Sequence, residues 1–200
     1  MKFIIATNNP KKLIELDRIL NPLGINAVTA KQEGISLDDV EENGTTFKEN
    51  SYIKASAACD KSGLPAIADD SGICVDALNG EPGIFSARFG GPDATDKDKN
   101  TIILEKLKDS DNRGAHYTCA VTCVFPNGDV IQVEDYCYGE IALKPDGTGG
   151  FGYDPIFLYD GKSFGNYTAE EKDKVSHRGK ALRAFKEELK KYMEENYAEQ

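Results

Sequence analysis

Two alternating apolar runs, His116 to Phe125 and Val130 to Gly139, flank the turn Pro126-Asn127-Gly128-Asp129. Asn-Gly between two period-two patterns is a strong hairpin signal, and a hairpin pairs its strands antiparallel. Elsewhere along the chain strands and helices interleave, the arrangement that produces parallel pairs. A chain that must satisfy both is confined to an α/β fold built on a mixed β-sheet with flanking helices.

The interleaving begins at once. Lys2 to Ala6 reads as a short apolar strand, followed by the polar turn Thr7-Asn8-Asn9-Pro10-Lys11-Lys12 and then Leu13, Leu16, Ile19 and Leu20 at helical spacing. Asn9 suits an N-cap and Pro10 the first helical position. Strand, tight turn and helix start in this order form an anion site, because unpaired backbone N–H groups and the helix dipole face the turn. A second helix is predicted from Thr46-Phe47-Lys48-Glu49, a capping-box spacing, through the alanine-rich Lys54 to Lys61, ending at Gly63 and Pro65. Ala66-Ile67-Ala68 is then a short buried strand whose end carries Asp69-Asp70-Ser71-Gly72. Further amphipathic helices fit Thr95 to Lys108 and, with Ser176 as N-cap, a charged stretch to about Tyr197. No repeat or Pro/Gly/Ser-rich linker divides the chain, so residues 1–200 are expected to form a single domain.

Asp and Glu number 34 against 24 Lys and Arg, a net charge of −10 over 200 residues. So acidic a chain is a poor match for nucleic acid or anionic lipid, both of which demand a basic field. No run approaches the roughly 20 apolar residues of a membrane span, and the apolar start is too short for a signal peptide, so a cytoplasmic protein is expected. The five cysteines include no CxxC pair; Cys119 and Cys123 fall on the same side of an alternating run and read as small buried hydrophobes. His116 and His177 are the only histidines, which excludes a site built on several imidazoles. Any metal must be held mainly by oxygen, which points to magnesium, with manganese as a substitute.

Several segments carry groups suited to chemistry, each with a plainer structural alternative. Asp69-Asp70 follows an apolar strand; on extended backbone two adjacent carboxylates point in opposite directions, so one can face a site while the other braces a loop or caps a turn. Glu41-Glu42-Asn43-Gly44 is either a solvated acidic loop or the source of a second carboxylate for magnesium. Ser176-His177-Arg178-Gly179-Lys180 places two basic groups in the first turn of a helix, against the dipole, which a bound anion would explain and ordinary surface charge would also allow. Gly149-Gly150-Phe151-Gly152-Tyr153-Asp154-Pro155 is either a glycine-rich bend with packed aromatics or a loop that approaches a flat ligand and stacks a base on Phe151 or Tyr153.

Taken in order, the Thr7–Lys12 turn, Glu41 to Phe47 with Asn50 and Lys54, Ala68-Asp-Asp-Ser-Gly72 continuing to Arg88, Phe151-Gly-Tyr-Asp-Pro155, Glu170-Glu-Lys172 and Ser176-His-Arg-Gly-Lys-Ala-Leu182 resemble the inosine triphosphate pyrophosphatase family, also called Ham1-like proteins. The resemblance runs from Phe3 to about Leu189. It implies an elongated mixed α/β fold with two lobes around a substrate cleft, a homodimer, and magnesium-dependent hydrolysis of ITP, dITP and XTP to monophosphate and pyrophosphate, which clears them from the nucleotide pool. Carried over by position, Asp70 matches the proton acceptor, and Glu41 with Asp70 the metal-associated carboxylates. Thr7, Asn8, Asn9, Pro10, Lys11 and Lys12 match a first substrate loop. Lys54, Ser71, Phe151, Gly152, Tyr153, Asp154, Lys172, His177 and Arg178 match further substrate contacts. Gly165-Asn166-Tyr167 and Asp173 depart from the usual pattern near the expected base pocket. A non-enzymatic purine-nucleotide sensor and a metal-dependent phosphatase are the alternatives.

Overall fold

A computed structural model describes residues 2–7 and 9–197. The apolar start forms β1 (Lys2–Ile5), and Asn9 caps α1 (Pro10–Leu20) with its side chain accepting from the Lys11 and Lys12 amides. Thr46 caps α2 (Phe47–Ser62) by accepting from the Glu49 amide. Gly63, at φ 67°, closes the same helix by donating to the Cys59 carbonyl, a left-handed step that glycine takes without penalty. β2 (Asn26–Thr29) and β3 (Ala66–Val75) flank α2 in sequence, and α3 (Asp96–Lys106) starts at Thr95 in a complete capping box with Asp98. The expected hairpin is β4 (Gly114–Val124) and β5 (Val130–Ile141). β6 (Phe157–Tyr159), β7 (Lys162–Ser163), α4 (Ala169–Val175) and α5 (His177–Tyr197) complete the chain.

The sheet order is β2-β1-β3-β4-β5-β6-β7, open at both ends. β1 pairs with β2 and β3 in parallel, whereas β5, β6 and β7 pair antiparallel, so the sheet is mixed as expected. Two differences from the sequence reading are informative. β3 does not stop at Ala68 but continues through Asp69-Asp70-Ser71-Gly72 to Val75, because both carboxylates are buried against lysines and the chain has no cause to turn out to water. The β6–β7 hairpin was not anticipated, although Asp160-Gly161 between the strands, with φ of 50° and 74°, is the pair that a two-residue hairpin turn requires.

The chain divides into two compact units: residues 1–70, 119–134 and 181–200 in one, 71–118 and 135–180 in the other. In the first unit β1 is buried on both faces. Phe3 and Ile5 pack with Leu16 and Leu20 of α1, Leu182, Phe185 and Leu189 of α5, and Cys119, Val121 and Cys123 of β4. Both cysteines thus line one apolar face, as their spacing requires. Ile4 and Ala6 turn the other way, onto Ala55, Ala58 and Cys59 of α2 and Ala66 and Ala68 of β3. The second unit is built around Ile73, Val75, Ile103, Leu107, Tyr117, Cys137, Phe157 and Phe164. No helix among the described residues is long and apolar enough to cross a membrane.

The alanines under α2 set how closely it lies on β1 and β3. Replacing fully buried Ala58 with leucine should overfill this layer and cost about 1–3 kcal/mol; urea unfolding should show a lower midpoint at unchanged slope. The capping carboxylates give a pH signature. The Thr95 hydroxyl and amide hold the Asp98 carboxyl below its ordinary value, and the Thr168 amide, with Lys162, does the same for Glu171. A depressed folded pKa stabilises the fold above the ordinary values of 3.8 and 4.5, and that contribution is lost as the pH falls through the lowered ones. Amide exchange in the first turns of α3 and α4 should accelerate over that window, and Asp98→Asn should abolish the dependence in α3 alone.

Candidate active site

In the first unit the site is organised by β3. Asp69 and Asp70 are consecutive in an extended strand, so their carboxylates diverge, and each meets a different lysine. Asp69 Oδ2 lies 3.0 Å from Lys12 Nζ, in the first turn of α1. Asp70 Oδ1 lies 3.2 Å from Lys54 Nζ, on α2, which also reaches Glu42 Oε2 at 2.9 Å. The loop carrying Glu41 and Glu42 is pinned to α2, since the Gly44 amide donates to the buried Asn50 Oδ1 at 2.9 Å and the Thr45 amide to Glu49 Oε2 at 2.6 Å. A side chain on Gly44 would run into Asn50 and Glu49.

Burial pushes the Asp70 carboxyl above the usual range, with Glu42 adding to the effect and Lys54 and Lys12 opposing it. For Lys54 burial disfavours the charge, but Asp70, Asp69 and Glu42 outweigh it and the ammonium is held above its ordinary value. Asp70 is 7 % exposed, and its Oδ2 is buried with no hydrogen-bond partner. A buried, partnerless carboxylate oxygen is costly unless something arrives to use it. That atom suits a hard divalent cation or the hydrogen of a water, and magnesium commonly takes only one or two protein carboxylates and leaves its other positions to water and phosphate.

The turn before α1 differs from its expected form. The Lys11 and Lys12 amides donate to Asn9 Oδ1 at 3.0 and 3.4 Å, the Leu13 amide donates to the Asn9 carbonyl, and Pro10 has no N–H. The Asn9 cap therefore absorbs the donors that the sequence left open for an anion. The Asn9 amide in turn donates to Thr7 Oγ1 at 3.2 Å. Asn8 lies outside the described residues. Glu41 is exposed and makes no side-chain hydrogen bond or ion pair among the described residues, whereas its neighbour Glu42 makes the contact with Lys54. Three or more His, Cys, Asp or Glu side chains do not converge on a common metal position among the described residues.

In the second unit the site is organised by Asp154. Its Oδ2 accepts from Lys172 Nζ at 2.6 Å and from the Phe151 amide at 2.8 Å, closing the loop on itself. Gly150, at φ 71°, has no room for a side chain because Asp154 occupies the space. Lys172 Nζ stands 4.7 Å from the centre of the Phe151 ring and Arg178 5.8 Å, so two buried cations attend one aromatic ring. Tyr153 is anchored by its hydroxyl donating to the Ser86 carbonyl at 2.8 Å. Arg178 donates to Ser71 Oγ at 2.7 Å. His177 stacks on Tyr117 with ring centres 4.4 Å apart and planes 6° from parallel. Burial, followed by the Asp154 charge, raises the Tyr117 phenol well above its ordinary value, so it stays a neutral donor. The two basic groups at the start of α5 therefore have an explanation within the unit. Ser176 caps the helix as expected, its hydroxyl accepting from the Gly179 amide at 3.1 Å.

The structure thus gathers Lys12, Lys54 and Asp70 in the first unit and Ser71, Phe151, Tyr153, Asp154, Lys172, His177 and Arg178 in the second. Glu42, and Asp69 as the partner of Lys12, emerge only from the geometry, because nothing in the run Glu41-Glu42 distinguishes its members. Asp96 and Asn100 of α3, which hold the Phe151–Asp154 loop, were also not singled out; their spacing of four on a helix was the available signal.

The fold is a mixed α/β sheet, and each of its two units buries lysine–carboxylate pairs. Residues 3–188 match the family model described as the Ham1 family, and this chain belongs to that family. A dITP/XTP pyrophosphatase of Exiguobacterium is 43% identical over 96% of this chain and 99% of its own length. One from Streptomyces coelicolor is 44% identical over 92% of this chain and 94% of its own. Among solved structures, a HAM1 protein from Coxiella burnetii superposes with a TM-score of 0.89 at 36% identity, covering 96% of this chain and 99% of that one.

The buried pair at the centre of the second unit is open to a direct test. Asp154→Ala should destabilise the protein by about 3–5 kcal/mol, because it removes a buried carboxylate that pairs with a buried ammonium. Lys172→Met should also destabilise, and the double variant should lose less than the sum of the two. A double-mutant cycle in urea would reveal that coupling, and additive losses would remove the pairing as the organiser of this loop.

Proposed function

We propose that this chain hydrolyses ITP, dITP and XTP to the nucleoside monophosphate and pyrophosphate. The observation that carries the reading is Asp70: a buried carboxylate beside Lys54 with one oxygen left unpartnered, in a chain 43% identical to a dITP/XTP pyrophosphatase over nearly its whole length. Attack by water on the α-phosphorus forms one P–O bond and breaks the bond to the bridging oxygen, so that pyrophosphate departs with the electron pair. The Asp70 carboxylate takes the proton that the water gives up. An ordinary aspartate is a weak base at neutral pH, and the upward push from burial moves Asp70 toward the useful range. Lys12 and Lys54 offset the charge that develops on the departing pyrophosphate.

The unpartnered Asp70 Oδ2 fits magnesium, and Asp70 with Glu41 would hold it. When bound, the ion supplies charge neutralisation on the phosphates and acidifies water. Glu42 is tied to Lys54, which leaves the exposed Glu41 as the acidic member of that loop able to swing to an ion.

The groups suited to base selection are His177, Arg178 and the Phe151–Asp154 loop. Hypoxanthine and xanthine present a 6-oxygen acceptor where adenine presents an amino donor. His177, Arg178 or a loop amide donating to that oxygen would face a second donor if ATP entered. A site built on such a bond discriminates by about 10⁴ to 10⁵. Phe151 offers the ring on which the base stacks.

The decisive measurement is kcat/KM for ITP, dITP, XTP, GTP and ATP with magnesium, scored as pyrophosphate released. ITP, dITP and XTP should exceed ATP by several orders of magnitude, and chelation of the metal should stop turnover. Equal rates on ATP would remove the selectivity, orthophosphate as product would indicate a phosphatase, and binding without release would indicate a sensor. Asp70→Asn should abolish nearly all turnover while the melting transition is kept. In isotopically heavy water the label should appear in the monophosphate, and label found only in pyrophosphate would refute attack at the α-phosphorus.

A further inference from the structure

Gly152 sits in the middle of the Phe151–Asp154 loop with φ 63°, and nothing lies within 4 Å of where a side chain would start. Crowding therefore does not hold it in the left-handed region; its hydrogen bonds do. Both of its backbone groups are taken by one helix. The Gly152 amide donates to Asp96 Oδ2 at 2.8 Å, and the Gly152 carbonyl accepts from Asn100 Nδ2 at 3.2 Å. Asp96 and Asn100 are four apart on α3, hence on one face and one turn apart. The start of that helix is fixed by the Thr95–Asp98 capping box, so the two prongs are rigidly presented.

Asn100 is 5 % exposed, and its Oδ1 has no hydrogen-bond partner. Rotating the amide would bring Oδ1 against the Gly152 carbonyl, acceptor on acceptor, so the orientation is dictated by the loop. An apolar side chain would avoid an unpaired buried acceptor. Asparagine at this depth is accounted for by the bond that it makes to Gly152.

We propose that Asp96 and Asn100 are a two-pronged clamp on Gly152 that sets the position of Phe151 and Tyr153, and are thus positioning residues for base selection. The clamp rests on the reading of this loop as the base-contacting segment. Its effect belongs in substrate binding and selectivity, because what both side chains hold is the backbone of the loop that carries Phe151 and Tyr153.

The test is steady-state kinetics on ITP and GTP with Asn100→Ala, Asp96→Ala and Asp96→Asn. Each alanine variant should raise KM for ITP about tenfold, the worth of one hydrogen bond, with kcat changed less than about threefold and the ITP-to-GTP preference reduced. Asp96→Asn keeps an acceptor for the Gly152 amide and should restore KM to near the wild-type value. If Asn100→Ala does not fold, the exposed Asp96→Ala carries the test. Unchanged KM and preference in the alanine variants, or a loss confined to kcat, would overturn the clamp. So would Asp96→Asn behaving like Asp96→Ala, since charge and not the hydrogen bond would then matter. Wild-type protein that fails to turn over ITP would instead overturn the proposed function, and the clamp's role in selection with it.

Discussion

The first unit depends on the alternation of β3. Because successive side chains of a strand leave opposite faces, Asp69 and Asp70 make their close ion pairs with different lysines. Two lysines from two helices are needed, and α1 and α2 must be placed on either side to deliver them. The alanines of α2 let that helix lie close enough for Lys54 to reach Asp70, and the Asn9 cap fixes the turn from which Lys12 reaches Asp69. Buried charge of this kind is tolerated only when paired. The pairing here is incomplete at Asp70 Oδ2, and incompleteness in a buried charged group is where chemistry has room to act.

The second unit solves a related problem in a loop. Asp154 gathers an ammonium, a backbone amide and, at 3.5 Å, the Tyr117 hydroxyl, so a glycine-rich segment with little conformational preference of its own is held from within. Gly150 and Gly152 supply left-handed steps that other residues would resist. Burial of Lys172, His177 and Arg178 around this hub keeps cationic and donor groups together in a chain whose net charge is −10. Overall acidity and local recognition of an anionic, flat ligand are compatible because the relevant field is local and screened beyond about 10 Å.

Much of this was legible in the chain. The hairpin, the helix starts at Asn9, Thr46, Thr95 and Ser176, and the divergence of the two aspartates all follow from spacing over a few residues. The Ham1 resemblance identified the family to which the chain belongs. Less legible were the length of β3, where a pair of aspartates looked like a turn until lysines from distant segments were seen to bury them, and the β6–β7 hairpin, whose strands are too short to show a period. The donors before α1 looked open to an anion because the reach of the Asn9 side chain to two amides depends on the geometry of the turn.

Local order and its chemistry were thus determined by the sequence itself: which residues cap, which alternate, and which segments carry carboxylates, lysines and glycines. Only the tertiary structure decided the partnerships. That Glu42 rather than Glu41 meets Lys54, that Asp154 acts inside the loop as its hub, and that Asp96 and Asn100 reach Gly152 depend on segments between 12 and 56 residues apart in the chain. No local rule relates such segments; they are brought together by the burial of apolar faces, and the polar groups then take whichever partners that packing leaves within reach.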